Sequence, residues 1–249
     1  MNSTKILIAV VLFLAALGVN SFAATCTNAS LKGVYGLSAS GLNGSGVPAS
    51  SVYQITADGN GNVTGTATKS IDGSPVTFTF TGTYQLAKNC TGTTAFTNQD
   101  GQTEHDNFVM NNGNKGAFLI QTDANHVESS FAVAQGTATC TNLAVKHTYS
   151  LQATGQLVGV GQAAVEGQLV LNGKGSITGT ATLSVNGSIT SAVAVTGTYA
   201  INSDCTGTIT IAPQGLSTIN FNAVIVDADK ELLLVETDNN SIVTGILQE

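Results

Sequence analysis

The chain has 249 residues, of which 9% are charged, and a formal net charge of −7 at neutral pH. Eight basic residues, scattered singly, cannot form the clustered patch that phosphate binding requires, so a nucleic-acid partner is excluded. An apolar fraction of 42% is too high for a disordered chain. The composition therefore predicts a globular protein with an uncharged polar surface.

Residues 1–24 have the pattern of a secretory signal peptide. The basic residue Lys5 precedes an apolar run at 6–19, and small residues follow at Ser21 and Ala23. The run is shorter than the about 20 apolar residues of a transmembrane helix. We expect cleavage after Ala23 and a secreted protein, extracellular or periplasmic, with no integral membrane span. An uncleaved N-terminal anchor is the alternative.

The rest of the sequence contains the same pattern twice. Residues 58–73, DGNGNVTGTATKSIDG, return at 172–187 as NGKGSITGTATLSVNG, an offset of 114. Later matches, such as Thr-Gly-Thr-Tyr at 81–84 and 196–199, have an offset of 115, which indicates one inserted residue. Two copies of about 110 residues predict a duplicated domain, with repeat 1 at 25–137 and repeat 2 at 138–249.

Each copy carries one N-terminal and one central cysteine. An even number of cysteines in an exported protein favours disulfides, and the duplication favours one bridge within each copy. We therefore expect the pairs Cys26–Cys90 and Cys140–Cys205. Bridges between the copies are the alternative. Lipidation of Cys26 is a competing interpretation, but the preceding residue, Thr25, is not the small residue that this modification requires.

Strands are predicted by alternation of residue types. From Val63, small and apolar residues alternate with threonines, and a period of two is typical of a half-buried strand. The flanking Asp72-Gly73 and Asn186-Gly187 predict tight hairpins, because type I′ turns need positive φ at both central positions. In the first copy we predict eight strands, near 33–41, 50–57, 63–71, 76–87, 91–97, 105–111, 116–122 and 127–134.

The predicted fold class is all-β, with two tandem antiparallel β-barrels of about eight strands each, preceded by a signal-peptide helix. Short strands separated by turns every 8 to 14 residues favour a barrel or a sandwich. Gly65, Ala67 and Gly82 share the apolar face, where small residues suit the tight curvature of a barrel wall. A pair of β-sandwiches is the alternative.

The same residues suggest a family. Lys32-Gly33-Val34-Tyr35, the stretch 58–65, Thr81–Tyr84 and Asn89–Thr93 resemble uncharacterised secreted bacterial β-barrel repeat proteins with two cysteines per repeat. The one-copy version of these proteins looks like a small barrel of the calycin or allene-oxide-cyclase type. The resemblance implies a barrel fold and leaves the function open.

Candidate catalytic groups are few. Glu104-His105-Asp106 is the densest group, but a strand would place the two carboxylates on one face and His105 on the other. The second copy has Ile219-Asn220-Phe221 at these positions. We therefore interpret the group as a solvated loop or strand start and predict no catalytic residue. An enzyme with a site in repeat 1 alone is the remaining alternative.

Two further patterns resemble binding motifs. The loop 58–62 has alternating oxygen ligands like a calcium loop, but Val63 stands where such a loop needs glycine and Lys69 where it needs glutamate. We predict a plain hairpin turn and no metal. Asp123 and Asp238 are duplicated after an apolar strand, and Asx-turn chemistry accounts for them.

The predicted function is a secreted, non-enzymatic binding module with two related barrels. An unknown small apolar ligand or an extracellular surface partner is expected, without a cofactor. A structural or adhesive cell-surface protein is the alternative. The candidates for lining a ligand cavity lie on the apolar face of one predicted strand and of its copy: Phe78, Phe80, Tyr84 and Tyr199.

Overall fold

A computed structural model describes residues 25–111, 113, 115–136 and 139–249. The predicted signal peptide at 1–24 lies outside the described residues. Within the described part of the chain, no helix is long and apolar enough to cross a membrane.

The first half of the chain forms a closed antiparallel barrel, here called barrel 1. Each of its strands pairs with the next, and the last pairs with the first, which closes the sheet. The predicted strands are confirmed to within two residues at each end, and the sandwich alternative is wrong. The strands are β1 Gly33–Leu42, β2 Pro48–Ala57, β3 Asn62–Ile71, β4 Ser74–Leu86, β5 Thr91–Asn98, β6 Thr103–Asn111, β7 Gly116–Gln121 and β8 Val127–Ala134.

The second half forms an equivalent closed barrel, barrel 2, which confirms the tandem all-β prediction. Its strands follow in the same order, and its last strand pairs with its first. They are β9 Thr148–Leu157, β10 Gly161–Leu171, β11 Ser176–Val185, β12 Ser188–Ile201, β13 Thr206–Pro213, β14 Ile219–Val226, β15 Glu231–Glu236 and β16 Ser241–Gln248.

The inserted residue of the second copy is accommodated as a β-bulge. The register between β11 and β12 shifts between Ala181 and Leu183, and Ala192 has a φ of 55°. A bulge adds one residue to one strand while the pairing continues on both sides. The partners of the inward Leu183 and Ala181 are therefore Thr190 and Val193, three positions apart, and the offset between the copies changes from 114 to 115 at this point.

The predicted hairpins are also confirmed. Asp72 and Gly73, which join β3 and β4, have φ angles of 50° and 73°, and Asn186 and Gly187 have 47° and 83°. Positive φ at both central residues is the requirement of a type I′ turn. These turns fix the register of β4 and β12, the longest strand of each barrel, with the strand before it.

One end of each barrel is closed by the segment that precedes its first strand. In barrel 1 the Cys26–Cys90 disulfide holds this segment, and Tyr84 Oη donates a hydrogen bond to the Asn28 carbonyl at 2.9 Å. In barrel 2 the Cys140–Cys205 disulfide and a bond of 3.1 Å from Tyr199 Oη to Asn142 do the same. One bridge within each copy is thus confirmed.

The two barrels pack against each other through the outer faces of their walls. Val52 of barrel 1 is buried in one cluster with Val224, Val226, Leu233 and Val235 of β14 and β15. Gly36 on β1 permits this approach, since a Cβ at this position would lie 2.5 Å from a methyl group of Val226.

Hydrogen bonds across the contact fix the orientation of the barrels. Ser70 Oγ donates to the Ser241 carbonyl at 2.6 Å, and Asn222 Nδ2 donates to Thr68 Oγ1 at 2.9 Å. The Asn240 amide also donates to the Gly73 carbonyl at 2.7 Å, so the first type I′ turn rests against barrel 2. Apolar packing and satisfied polar groups together make this a specific interface.

Candidate functional site

The interior of barrel 2 contains a cavity of about 300 Å³ at the end away from the disulfide. Its wall is formed by inward-facing side chains of seven strands and by the loop between β13 and β14. Most of them are apolar, and Leu216 on the loop is half exposed at the mouth. The lining consists of Leu151, Ala153, Leu157, Ala163, Val165, Leu183, Val185, Ile211, Leu216, Ser217, Thr218, Ile219, Phe221, Glu236, Asp238 and Val243.

Barrel 1 is filled at its centre by aromatic side chains that barrel 2 lacks. Phe80 contacts Tyr53 and Phe96 edge-to-face, with ring centroids 5.9 and 5.2 Å apart. The equivalent residues in barrel 2, counted by the offset of 114 or 115, are Gly167, Val195 and Ile211. Because an eight-stranded barrel has a nearly fixed interior, smaller side chains leave space. The cavity of barrel 1, at its disulfide end, measures only about 50 Å³.

Barrel 2 has one buried carboxyl group in its cavity wall. Glu236, the last residue of β15, is 8% exposed and lines the cavity. Burial, with a smaller contribution from Asp238, raises the pKa of Glu236 to about 7. No described Lys, Arg or His lies within ion-pair distance of it.

At the equivalent end of barrel 1 the interior is charged. Lys69 on β3 is only 3% exposed, and its Nζ lies 3.0 Å from Glu104 Oε1 and 3.4 Å from Glu128 Oε2. Asp106 and Tyr53 face the same group. At these five positions barrel 2 has Leu183, Ile219, Val243, Phe221 and Gly167. These positions therefore form a charged group in barrel 1 and are occupied by uncharged residues in barrel 2.

The electrostatics of this charged group are those of one ammonium among several carboxylates. Burial lowers the pKa of Lys69, but Tyr53, Glu128 and Glu104 outweigh this effect, so the net pKa is raised and Lys69 stays charged. Burial, together with the carboxylates of Glu104 and Glu128, raises the pKa of Asp106 to about 7. Burial also raises the pKa of Glu128. The group carries more negative than positive charge when all its members are ionised.

The expectation of a solvated strand start at 104–106 needs correction. The segment does begin β6, and the two carboxylates share one face as predicted, but that face is the barrel interior. Glu104 is held by the buried Lys69, and Asp106 is largely buried. The alternation from Val63 carried the missing signal, because Lys69 stands at an inward position of the same strand. No local sequence pattern indicated that Glu128 belongs to this buried group.

His105 points outward and has a structural partner. The Asp123 carboxylate accepts hydrogen bonds from the His105 amide and from its Nδ1, both at 2.8 Å. In barrel 2 the equivalent Asp238 accepts from the amide and the Nδ2 of Asn220, at 2.7 and 2.8 Å. The duplicated aspartate therefore clamps the strand beside it in both barrels, and His105 and Asn220 fill the same role.

In the calcium-like loop 58–62, the carboxylate of the first residue accepts hydrogen bonds from the backbone of the loop itself. Asp58 Oδ1 accepts hydrogen bonds from the amides of Asn60 and Asn62, and Asn172 does the same in the second copy. The bonds from Asn62 are the main cause that lowers the pKa of Asp58 to about 2. Among the described residues, no group of three or more His, Cys, Asp or Glu is placed to hold a metal ion.

The predicted cavity-lining residues lie in the barrel interiors, but not around the larger cavity. Tyr84 lines the small cavity of barrel 1, and Phe80 belongs to the aromatic centre with Phe78 packed beside it. Tyr199 lies in the core of barrel 2 and donates to Asn142. Contact between these residues and a ligand stays a prediction. Sequence reasoning missed the wall formed by Val165, Leu183 and Glu236.

No known family model matches the sequence, and no curated protein matches it. Among solved structures, the chain is similar to the crystal structure of isotype 1 transferrin binding protein B from serogroup B Neisseria meningitidis. The similarity covers 88% of this chain and 75% of that chain, at 9% sequence identity and a TM-score of 0.36. At this score the likeness carries no argument about a ligand or a partner.

The charged group in barrel 1 predicts strongly non-additive mutations. We expect Lys69→Leu to lower the free energy of unfolding by about 3–5 kcal/mol, because it leaves Glu128 buried without its cation. The triple variant Lys69→Leu, Glu104→Ile, Glu128→Val carries the side chains of barrel 2 and should lose less than the single variant. Denaturant unfolding measures both. Exposed Lys88→Leu is the control, and additive losses would contradict the prediction.

Stability should fall as the pH rises from about 4.5 to about 7.5. An unfolded aspartate or glutamate, with an ordinary pKa of 3.8 or 4.5, loses its proton by the lower end of this window, whereas native Asp106 and Glu236, each with a pKa of about 7, lose theirs toward the upper end. The native state therefore binds more protons, and its advantage disappears as they titrate. Denaturation midpoints at both ends of the window should differ in the wild type. Asp106→Asn and Glu236→Gln should each reduce the difference, and a wild type with equal midpoints would refute this.

Proposed function

We propose that this chain is a secreted, non-enzymatic binding module and that barrel 2 holds one small molecule with an apolar body. The observation that carries the proposal is the cavity of about 300 Å³ in barrel 2, at a place where barrel 1 is filled with charged side chains. Ligand pockets in proteins typically measure about 300–1,000 Å³. The cavity is therefore at the lower end of the range for a single small ligand.

The lining supports an apolar occupant. Leucine, isoleucine, valine and alanine form most of the wall, and Glu236 and Asp238 are the only ionisable residues among its described members. Burial of apolar surface contributes about 25 cal/mol per Å² to binding before the costs of association are subtracted. In this proposal barrel 1 does not hold the ligand, since its cavity of about 50 Å³ is too small for such a molecule.

Two observations support a non-enzymatic protein in an oxidising compartment. The inward carboxylates of β6 and the outward His105 lie on opposite sides of the barrel wall, so they cannot act on one substrate atom. Both disulfides are typical of exported proteins. The predicted signal peptide is consistent with export.

Filling the cavity should abolish binding. Val165 on β10 lines the cavity, and Val165→Phe places a ring inside it, whereas Val170→Phe adds the same ring to the outer face of the same strand. We expect the neutral dye N-phenylnaphthylamine to fluoresce with the wild type and with Val170→Phe, but not with Val165→Phe. Native mass spectrometry of the secreted proteins should detect a retained ligand in the wild type and in Val170→Phe, but not in Val165→Phe.

Thermal unfolding of both variants checks that the barrel remains folded. Equal dye binding by Val165→Phe and the wild type would show that the dye lies elsewhere and would contradict the proposal. An absence of binding by the wild type to the dye and to other neutral apolar molecules of this size would contradict it as well.

A further inference from the structure

Glu236 is a buried acid in a largely apolar cavity without a cation. It faces inward at the end of β15, opposite Phe221 on β14. Among the described residues of the cavity wall, the only other titratable one is Asp238, which is also an acid and is held in place by Asn220. The neighbouring Ser241 hydroxyl lowers the pKa of Glu236 but supplies no charge. A carboxylate buried without a counter-ion is costly, so it is either protonated or awaits a positive group.

Barrel 1 shows how this end of the fold accommodates a cation. There the ammonium of Lys69 lies inside the barrel, 3.0 Å from Glu104 and 3.4 Å from Glu128. Barrel 2 has Leu183 in place of the lysine and an open cavity beside it. Barrel 1 thus supplies an ammonium from its own wall, and in barrel 2 an ammonium would have to come from a ligand.

We propose that the ligand of barrel 2 is an apolar molecule that carries a protonated amine, and that Glu236 binds the amine inside the cavity. This inference rests on the proposed function. Asp238 adds negative potential at the same place, while the aliphatic wall takes the body of the ligand. The raised pKa of Glu236 is consistent with a carboxyl group whose counter-ion arrives only with the ligand.

Three molecules with one chain length test the inference: octylamine, octanol and octanoate. Each is titrated against the mature, oxidised protein that contains N-phenylnaphthylamine, and the loss of dye fluorescence gives the affinity. We expect octylamine to bind at least about tenfold more tightly than octanol, and octanoate to bind most weakly. Octylamine affinity should also increase as the pH rises through about 7, because Glu236 becomes ionised.

Glu236→Gln is the matched variant, because barrel 1 has Gln121 at the equivalent position. It should lower the affinity for octylamine to the affinity that the same variant has for octanol. If octanol and the dye bind but octylamine has no advantage, or keeps its advantage in Glu236→Gln, the inference is wrong and the proposed function stands. If neither the dye nor octanol binds the wild type, the proposed function itself fails.

A second inference concerns the outside of barrel 1. Val109, Phe118 and Ile120, on the outer face of β6 and β7, are 44%, 58% and 58% exposed. Their equivalents in barrel 2 are Val224, Leu233 and Val235, which are buried against barrel 1. The same apolar face therefore exists in both barrels, and only one of the two is covered within the chain.

The exposed face is continuous with the interface between the barrels. Phe118 pairs across β7 and β8 with Phe131, which packs against the apolar cluster buried between the two barrels. Exposed apolar surface next to an established interface is typical of further association.

The exposed face of barrel 1 does not suit barrel 2 of another copy in the way that the face of β14 and β15 suits barrel 1. In barrel 1 the receiving face is formed by Gly36 and Val52, but barrel 2 has Ser150 and Glu166 there. A charged, exposed residue at the centre of that face disfavours the apolar partner. We infer that a second copy of the chain covers the exposed face, with the two patches paired about a two-fold axis.

Sedimentation velocity of the mature, oxidised protein at rising concentration tests this pairing. We expect a reversible dimer in the wild type, loss of the dimer in Phe118→Ser, Ile120→Ser, and an unchanged dimer in the control Ile189→Ser, which removes an isoleucine that is 70% exposed on barrel 2. A wild type that stays monomeric, or a dimer that survives the double substitution, overturns the inference. Flotation of a monomeric wild type with phosphatidylcholine vesicles would assign the face to lipid instead.

Discussion

Closure of eight strands into a barrel is the constraint on which the other features of this protein depend. It encloses a nearly fixed interior, and every second side chain must share that space. In barrel 1 the space is filled by Tyr53, Phe80 and Phe96 at the centre. In barrel 2 smaller residues stand at these positions and at those of Lys69, Glu104 and Glu128, and the backbone does not contract to compensate because its hydrogen-bond register is fixed. A cavity is the consequence.

The same constraint explains why the two copies differ in chemistry at one end. A barrel interior excludes water, so a charge placed there needs a counter-charge from another strand. Barrel 1 meets this requirement internally, with Lys69 between Glu104 and Glu128. Barrel 2 has apolar residues in place of the lysine and of all three acids, and it carries Glu236, where barrel 1 has Gln121, at the wall of an open space. The two copies thus differ, because the interior of barrel 1 contains its own counter-ion and the interior of barrel 2 contains an open cavity.

The outer faces of the walls add a second level of organisation. Residues on alternate positions of β14 and β15 form the contact with barrel 1, while the equivalent positions of β6 and β7 stay exposed. Since inward and outward positions alternate, each copy could change its outer face without disturbing its interior. For this reason barrel 2 can pack against barrel 1 through its outer face while both barrels keep the same fold.

The sequence by itself determined the strands, the type I′ turns, the duplication and the disulfide pairing, because alternation and turn chemistry are local and the copies could be compared residue by residue. It did not reveal that Lys69 meets Glu104, 35 residues later, or Glu128. These ion pairs, and the cavity beside Glu236, depend on which inward positions face each other across the closed barrel. Closure brings together residues that no local pattern relates, so only the tertiary structure decided the candidate site.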